Sequence, residues 1–373
     1  MGMTRSAATL LLLLAAPAHL TCTSGAAGQI SQEQPFAALV ADLSEPAGYF
    51  DTDNLISNEA SYLHVMGKLR ELGVRGGAYL GVGPDQNFSY MAQIRPSIAF
   101  MIDIRRDNVL QHLIFKALFE IAPRRIEYLA LLFARPPPDD PATWDQVDVA
   151  ELVAYIDRSP VDPVVVDRAR ARVDSATRSF GVPLTAADFA TIDQFHRTFI
   201  SEGMSLQFRS TGRAPRFYYP TYRDLLLERD LSGRRMSYLA SEEGYRFLKL
   251  LQEKDLVIPV VGDLAGDHAV RAIAELLERR GERVSAYYTS NVEFYLFRAG
   301  TFLRFAENVL RLPRDTRSVI IRSVFHSMFG PHPLAVRGYY STQLLQTIES
   351  LARDNAAGAY RSYWDVVTRH ALR

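Results

Sequence analysis

The sequence that decides the fold is GAYLGVGPDQNFSYMAQIRPSIAFMIDIRRDN, which spans residues 77–108. Two apolar runs within it, Ala78–Gly81 and Ser97–Ile102, flank a helix-like segment, Asp85–Ile94. Short continuous apolar runs are typical of strands in a parallel sheet that is buried on both faces. The order of strand, helix and strand therefore predicts a βαβ unit.

Glycines and an acid stand at the ends of these two strands. Gly81 and Gly83 follow the first strand, and glycine allows the backbone to turn tightly and to approach a ligand closely. The next helix begins near Asp85 and Gln86, and its first amides carry the positive end of the helix dipole. Asp103 follows the second strand, where an acid accepts hydrogen bonds from ribose hydroxyls. These five residues are the predicted cofactor-binding residues.

Two common nucleotide-binding patterns are incomplete in this stretch. The dinucleotide fingerprint has a third glycine three residues after the second, and that position is Gln86. The stretch also lacks the lysine of a Walker loop. A dinucleotide-dependent oxidoreductase is therefore the weaker alternative.

A Gly-x-Gly loop followed by an acid after the next strand resembles the first motif of class I S-adenosylmethionine-dependent methyltransferases. The resemblance implies that Gly81 and Gly83 take the amino-acid end of S-adenosylmethionine and that Asp103 takes its ribose. The chain departs from the motif just before the glycines, where the family has an acid and this chain has Tyr79 and Leu80.

Longer segments resemble an uncharacterised bacterial protein family whose members are often exported. The segments are GGAYLGVGPDQNFSYMAQIRP, FMIDIRRDN, SYLASEEGYRFL, VIPVVGDLAG and YYTSNVEFYL, and they fall within about residues 57–135 and 236–310. This resemblance implies a methyltransferase-like Rossmann core and no established activity. It supports the fold more than the reaction.

The sequence changes character twice after residue 135. The proline-rich stretch ARPPPDDPATW (residues 134–144) begins a region of helical patterns, which predicts a helical insertion at about residues 136–235. Strands and helices then alternate again. The later predicted strands are Leu256–Val261, Arg283–Tyr288 and Ser318–Phe325, and the predicted helices outside the insertion include Asn58–Leu72, Val109–Ile121, Ile126–Phe133, Val292–Val309 and Ser341–Arg353.

This pattern predicts an α/β fold with a doubly wound, mainly parallel sheet and an all-helical insertion. Residues 28–373 form a single α/β domain in this interpretation. The insertion is expected to cap the carboxyl edge of the sheet and to shape a pocket there.

Polar residues also follow two later strands. Asp263 comes just after VIPVV, and Ser290 and Asn291 come after VSAYY. Because ligands bind outside the carboxyl ends of parallel strands, we interpret Asp263 and Asn291 as catalytic candidates and Ser290 as a substrate-binding candidate. Asn58 and Glu59 precede the first helix and are substrate-binding candidates that close over the site. For the Asp and Asn residues the alternative is an ordinary helix cap.

Charge and composition argue against several classes of partner. Lys plus Arg and Asp plus Glu number 42 each, so no net charge attracts nucleic acid. The arginine- and tyrosine-rich segment Phe208–Arg223 is therefore interpreted as a loop that packs on the sheet. Arg105 and Arg106 are interpreted as solvated. His326 and His332 lack a third ligand nearby in sequence, so no metal site is predicted.

Residues 1–27 have the features of a secretory signal peptide. Arg5 precedes the apolar run Ala7–Ala16, which is too short to span a bilayer, and small residues follow. We therefore predict export to the periplasm or beyond, with a lipid anchor on Cys22 as an open alternative. A mis-assigned start codon would instead leave a cytoplasmic protein. No later run is apolar enough to span a membrane.

These features lead to two functional expectations. The first is a class I methyltransferase that binds S-adenosylmethionine and acts on an unidentified small molecule or peptide. The second is an exported, non-catalytic ligand-binding protein that retains the fold, because the signal segment directs the chain to where S-adenosylmethionine is not expected. Both leave the oligomeric state open.

Overall fold

Six β-strands form one sheet in the computed structural model, which describes residues 1–2 and 34–373. The strands are β1 (Ala78–Val82), β2 (Ile98–Asp103), β3 (Val257–Val261), β4 (Val284–Ser290), β5 (Arg314–Phe325) and β6 (Ser341–Thr347). They belong to one compact unit, Pro35–Arg373.

Sixteen α-helices flank or connect the strands within the described residues. They are α1 (Phe36–Leu43), α2 (Met66–Glu71), α3 (Gln86–Ile94), α4 (Arg106–Ile121), α5 (Arg125–Leu132), α6 (Val149–Arg158), α7 (Pro163–Ser179), α8 (Ala186–Glu202), α9 (Tyr222–Leu227), α10 (Glu242–Glu253), α11 (Ala269–Arg280), α12 (Val292–Ala299), α13 (Phe302–Arg311), α14 (His326–Phe329), α15 (Ile348–Ala356) and α16 (Tyr363–Thr368). Short 3₁₀ helices occur at Tyr62–Val65, Pro141–Trp144 and Gly203–Ser205.

The strands lie in the order β3-β2-β1-β4-β5-β6. β1 to β5 run parallel, and β6 is antiparallel to β5. The direction in which strands are added reverses between β1 and β4, because β2 and β3 extend the sheet on one side and the later strands extend it on the other. β3 lies at an edge and contains Pro259, whose missing N–H an edge strand tolerates.

The parallel strands are covered on both faces by helices. Every residue of β1 and of β3 is buried, as a parallel strand between two helical layers requires. α10 contacts α3 and α4, whereas α13 contacts α11 and α15. Because parallel crossovers are right-handed, α3, α4 and α10 lie on one face of the sheet, and α11, α13 and α15 lie on the other.

Helices α6 to α9 and three isolated β-bridges fill the chain between α5 and α10. α8 and α9 begin at capping boxes, in which Thr185 pairs with Asp188 and Thr221 pairs with Asp224. α7 and α8 pack against α4, the long buried helix that follows β2. This mainly helical region is therefore anchored on the helix beside the predicted cofactor residues.

The predicted helix Ser341–Arg353 is wrong in its first half. Ser341–Thr347 forms β6, which pairs with β5 along its whole length, and only Ile348–Ala356 is helical. The leucines of STQLLQT fit either structure, but the outer edge of β5 offers backbone hydrogen bonds that only a strand can use. Tertiary pairing therefore overrides the local pattern.

Two other predicted helices are interrupted. In place of Asn58–Leu72, the chain forms the 3₁₀ helix Tyr62–Val65 followed by α2. The predicted helix Val292–Val309 is divided at Gly300, whose φ of 71° ends α12 in the left-handed conformation. The apolar residues of α12 and α13 recur with one continuous helical periodicity, and the prediction did not treat Gly300 as a helix end.

The predicted signal peptide, residues 1–27, lies outside the described residues apart from residues 1–2, and so does Cys22. Export and a lipid anchor therefore stay predictions. Within residues 34–373, no helix is both long enough and apolar enough to cross a bilayer.

Candidate functional site

Residues 44–59, here termed the strap, cross the carboxyl ends of four strands in the order β3, β2, β1, β4. The strap contains no helix or strand. Its contacts, in that order, are Glu45 N–H to Val261 O (3.0 Å), Gly48 N–H to Ile104 O (2.8 Å), Asn54 beside Gly83, and the Glu59 carboxylate with Tyr288 Oη (2.7 Å). Ligands of open α/β sheets bind at this edge, so the strap covers the expected ligand edge.

Arg105 ties the strap to the predicted ribose acid. Its Nε and Nη2 donate to the two carboxylate oxygens of Asp103, at 3.1 and 2.9 Å. Its Nη1 donates to the backbone oxygens of Thr52 (3.0 Å) and Asp53 (3.2 Å). The Asp103 side chain is only 11% exposed, so both of its oxygens are engaged inside the protein.

The helical region holds the strap from the other side. The backbone N–H groups of Asp53 and Arg209 donate to Arg209 O (3.1 Å) and to Asp53 Oδ1 (3.1 Å), respectively. Arg213 pairs with Asp51 at 2.6 Å near the surface. The strap is therefore enclosed between the sheet edge and the loop that precedes α9.

Position 81 requires glycine because the Asn87 side chain lies against it. A Cβ on Gly81 would lie 2.0 Å from Asn87 Oδ1. That amide is fixed, because Tyr79 Oη donates to Asn87 Oδ1 (2.7 Å) and Asn87 Nδ2 donates to the backbone oxygens of Val82 (2.9 Å) and Pro84 (2.7 Å). The first glycine of the loop thus makes room for Asn87.

Gly83 forms the turn after β1 and has a φ of 77°, which favours glycine. His112 Nε2 donates to Gly83 O (2.9 Å), and burial lowers the pKa of His112 to about 4, so the ring is neutral at pH 7. Among the described residues, His112 Nδ1 and both amide atoms of Asn108, one helical turn earlier, have no hydrogen-bond partner. Unpartnered polar atoms are therefore buried beside the turn.

Asp85 faces the helical region. Tyr222 Oη and Tyr238 Oη donate to Asp85 Oδ2 at 2.6 and 3.0 Å. Burial raises the pKa of Asp85 to about 6, and the two phenol hydrogen bonds oppose this rise. Asp85 thus connects the turn after β1 to α9.

Three predicted site residues, Glu59, Gln86 and Ser290, meet around Tyr288. Tyr288 Oη donates to Glu59 Oε2 (2.7 Å), Ser290 Oγ donates to Glu59 Oε1, and Gln86 Nε2 donates to Tyr288 Oη (3.1 Å). Glu59 is 1% exposed, and burial raises the pKa of its carboxyl. These residues come from the strap, α3 and β4, and they meet where the strand order reverses.

Side chains from β5 and β6 complete this group. Ser323 and Gln343 oppose one another across the β5–β6 pair. Both act to lower the pKa of Glu59, but the larger effect of burial keeps that pKa raised. In the part of the chain that the structure describes, Gln86 Oε1, Gln343 Oε1 and Ser323 Oγ have no well-formed hydrogen bond. We term the following residues the Glu59 cluster: Glu59, Gln86, Tyr288, Ser290, Ser323 and Gln343.

Asn58 and Asn291, two other predicted site residues, contact tyrosines next to the Glu59 cluster. Burial raises the pKa of Tyr219 and of Tyr295, and hydrogen bonds with Asn58 and Asn291, respectively, oppose the rise. Three positive charges also lower the pKa of Tyr295: Arg213, Arg298 and Arg216. The outer side of the cluster is thus aromatic and basic.

Asp263 follows β3, at the far edge of the sheet from β4. Its Oδ1 accepts from Ala265 N–H (2.9 Å), and its own N–H donates to Glu45 of the strap. These hydrogen bonds join Asp263 to its own turn and to the strap. The two predicted catalytic residues, Asp263 and Asn291, therefore lie in different hydrogen-bonded groups.

Several residues of this edge were not predicted as site residues. The interpretation of Arg105 as solvated is wrong, because its guanidinium bonds Asp103 and the strap and the residue is 4% exposed. An arginine two residues after an acid was the available signal for this ion pair. Gln343 gave no signal, because its segment was predicted to be helical.

A surface hollow of about 460 Å³ lies between α7 and α8. Its charged side chains pair with one another, Arg170 with Asp193 at 2.6 Å and Arg178 with Asp174 at 2.8 Å. The hollow is lined by those two helices and not by the sheet edge, so it is not part of the candidate site.

Residues 34–373 contain no group of three or more His, Cys, Asp or Glu side chains that could hold a metal ion. His326 Nε2 lies 2.7 Å from Thr342 Oγ1, and His332 Nε2 donates to Val367 O at 3.0 Å. Both histidines thus have structural hydrogen-bond partners.

No curated protein matches this chain. Residues 55–136 and 205–371, more than half of the chain, match the family described as Domain of unknown function (DUF7790). The matched ranges contain all six strands and the Glu59 cluster, whereas α6, α7 and α8 lie outside them. The chain belongs to the DUF7790 family.

Proposed function

We propose that the protein binds a nucleoside-type ligand, with S-adenosylmethionine as the first candidate, at the carboxyl edge of β1, β2 and β4. The observation that carries this proposal is the position of the Gly83 turn. It lies where the strand order reverses, and His112 and Asn108 beside it carry buried polar atoms that have no hydrogen-bond partner among the described residues.

The strand order supports a Rossmann-like interpretation. The order β3-β2-β1-β4-β5-β6 is that of doubly wound nucleotide-binding sheets, in which the ligand occupies the crevice at the switch point. The antiparallel β6 departs from the all-parallel form. Together with the Gly-x-Gly loop, the order favours a methyltransferase-type core.

The unpartnered atoms support a polar ligand. Buried polar side chains in proteins are almost always hydrogen-bonded, either within the chain or to water or ligand. His112 Nδ1 is an acceptor, and Asn108 offers both a donor and an acceptor. A nucleoside, which carries donors and acceptors on its base and its ribose, complements this set.

Asp103 fits the ribose role only if Arg105 releases it. Both Asp103 oxygens accept hydrogen bonds from Arg105, and the same guanidinium holds the strap at Thr52 and Asp53. Ribose hydroxyls that replaced Arg105 would also release the strap. We therefore infer that ligand binding and strap opening are coupled.

In the methyltransferase version of this proposal, Asn58, Glu59, Ser290 and Asn291 orient a small-molecule or peptide substrate. Methyl transfer depends mainly on the alignment of nucleophile and methyl group. Asn291 is adjacent to the Glu59 cluster in sequence and suits this role. Asp263 belongs to the other end of the edge and would act only after the strap has moved.

A second candidate is an exported, non-catalytic binding protein. The specific observation that favours it is the strap itself, which covers the ligand edge and engages Asp103 through Arg105. Such a protein would bind its ligand without turning it over, and its ligand would be present outside the cytoplasm.

Isothermal titration calorimetry of the full chain tests the proposal. The ligands are S-adenosylmethionine, S-adenosylhomocysteine, NAD and NADP. We expect both S-adenosyl compounds to bind, and Asp103→Asn to weaken them by roughly ten-fold or more through loss of a charged hydrogen-bond acceptor. Asp107→Asn, an exposed acid in the first turn of α4, is the matched control and should bind as the wild type does.

The outcomes separate the candidates. Absence of heat with every ligand at millimolar concentration contradicts nucleoside binding. Binding that Asp103→Asn leaves unchanged shows that the ribose assignment is wrong. Binding without conversion of S-adenosylmethionine, together with a mature N-terminus cleaved near residue 27 by mass spectrometry, favours the non-catalytic candidate.

A further inference from the structure

The Glu59 cluster contains a buried carboxylate that has no cationic partner among the described residues. Glu59 is 1% exposed, and the side chains that hydrogen-bond or approach its carboxylate, Tyr288, Ser290, Gln343 and Ser323, are all uncharged. Within the described residues it takes part in none of the salt bridges, in contrast to Asp103, which has Arg105. A buried carboxylate is costly unless it is paired or protonated.

Further acceptor oxygens lie around this carboxylate. The amide groups of Gln86 and Gln343 donate to Tyr288 Oη (3.1 Å) and Tyr90 Oη (2.9 Å), and neither carbonyl oxygen has a donor in the part of the chain that the structure describes. Gln86 is 6% exposed and Gln343 is fully buried. Among the described residues of the cluster, two buried carbonyl oxygens are thus free to accept a hydrogen bond, beside the unpartnered Ser323 hydroxyl.

Tyrosine rings pack beside the same group. The Tyr90 ring lies 5.2 Å from the Tyr288 ring and 6.5 Å from the Tyr79 ring, centroid to centroid. All three tyrosines are fully buried, so a charged group beside them would depend on the acceptor oxygens for its hydrogen bonds. These oxygens favour a ligand group that is small, positively charged and rich in N–H donors.

We propose that Glu59, Gln86 and Gln343 form a binding site for a primary ammonium group of a small ligand. An ammonium group has three N–H donors and no acceptor, which matches one carboxylate and two amide oxygens. Glu59 is the last residue of the strap, and displacement of residues 44–54 would open the site while Glu59 keeps its place beside Tyr288 and Ser290. The ammonium site itself does not depend on the proposed function. Only the idea that the ammonium group belongs to a larger, nucleoside-type ligand rests on it.

Thermal unfolding of the full chain at pH 8 with simple amines tests this site without any nucleoside. The probe is n-propylammonium chloride, with tetramethylammonium chloride and potassium chloride at the same ionic strength as comparisons. A ligand that binds only the folded state raises the unfolding midpoint with saturation. We expect n-propylammonium to do so, and tetramethylammonium, which has no N–H donor, to have no specific effect.

Two variants locate the effect. Glu59→Gln removes the charge at nearly constant shape. It should raise the amine concentration that gives half of the maximal shift in the unfolding midpoint by roughly ten-fold or more. Glu228→Gln is the matched control, because Glu228 is a partly buried acid that, like Glu59, accepts from a tyrosine, Tyr339 (3.0 Å), and it should respond as the wild type does. If Glu59→Gln does not fold, Gln343→Leu removes one acceptor and should weaken the response.

Three results would overturn the inference: no response to n-propylammonium in the wild type, an equal response to potassium, or a response that Glu59→Gln and Gln343→Leu leave unchanged. None of these depends on whether S-adenosylmethionine binds. Failure of the ammonium site and failure of the nucleoside site are therefore distinguishable.

Discussion

Arg105 Nη2 lies 2.9 Å from Asp103 Oδ2, and the same guanidinium holds the backbone of the strap. The acid at the end of β2, where a nucleoside-binding sheet would present it to ribose, is thus part of an internal ion pair. One interaction stabilises the folded chain and closes the candidate site. In the proposed function, a ligand therefore reaches Asp103 only after the strap has opened.

Replacement of Arg105 should therefore destabilise the protein strongly. Arg105→Ala leaves Asp103 as an unpaired, nearly buried charge, which costs about 3–5 kcal/mol of unfolding free energy. The measurement is urea denaturation at pH 7. Arg197→Ala is the control, because Arg197 is 54% exposed in an ion pair with the half-exposed Asp193 on α8 and should cost about 1 kcal/mol or less. Equal losses for the two variants would contradict the structural role of Arg105.

The first glycine of the loop should be more sensitive to substitution than a glycine required only by its backbone angle. Gly81→Ala places a methyl group against the fixed Asn87 side chain, and overpacking of this kind costs roughly 1–3 kcal/mol in addition to the disturbed hydrogen bonds. Gly233→Ala, at φ 83° with open space around it, should cost about 1 kcal/mol. Denaturation curves of both variants decide this. A smaller loss for Gly81→Ala would contradict the close approach.

Asp85 should make stability depend on pH in a defined window. Its folded pKa of about 6 is above the ordinary value, so its contribution is fully present below about pH 4 and is lost as the pH rises through 6. Relative to Asp85→Asn, which does not titrate, the wild type should lose on the order of 2 kcal/mol across this window. Unfolding free energies at half-unit pH steps measure the difference. A constant difference would show that Asp85 titrates normally.

Glu59→Gln should stabilise the protein at high pH and not at low pH. Burial raises the pKa of Glu59, so its stabilising contribution is present when the carboxyl is protonated and declines as the pH rises through the folded pKa. At pH 8 the variant should gain roughly 1–3 kcal/mol, the scale of an unpaired buried polar group. At pH 4 the two proteins should be alike. A gain that is the same at both pH values would argue against a buried ionised Glu59.

Local pattern was sufficient for the centre of the sheet. β1, α3 and β2 follow from the continuous apolar runs and the Gly-x-Gly turn, because each of these elements is determined by its own residues and by burial on both faces. β6 could not be predicted in this way, since its strand conformation depends on the edge of β5, which is close in space only after folding.

The arrangement of the candidate site could not be predicted from local sequence either. Glu59, Gln86 and Ser290 were predicted individually, but their meeting at Tyr288 depends on the path of the strap, which has no regular secondary structure and no periodic pattern. Asp103 was predicted at the correct end of β2. Its engagement by Arg105 depends on side-chain direction, which sequence spacing does not specify.

The central claim is that a nucleoside binds under the strap at the Gly83 turn. A crystal structure of the full chain grown with S-adenosylhomocysteine tests this claim most directly. The account predicts ligand density between the Gly83 turn and Asp103, with Arg105 turned away from the carboxylate and residues 44–54 displaced. A structure in which the Arg105–Asp103 pair and the strap are intact, and the nucleoside is elsewhere or absent, would contradict it.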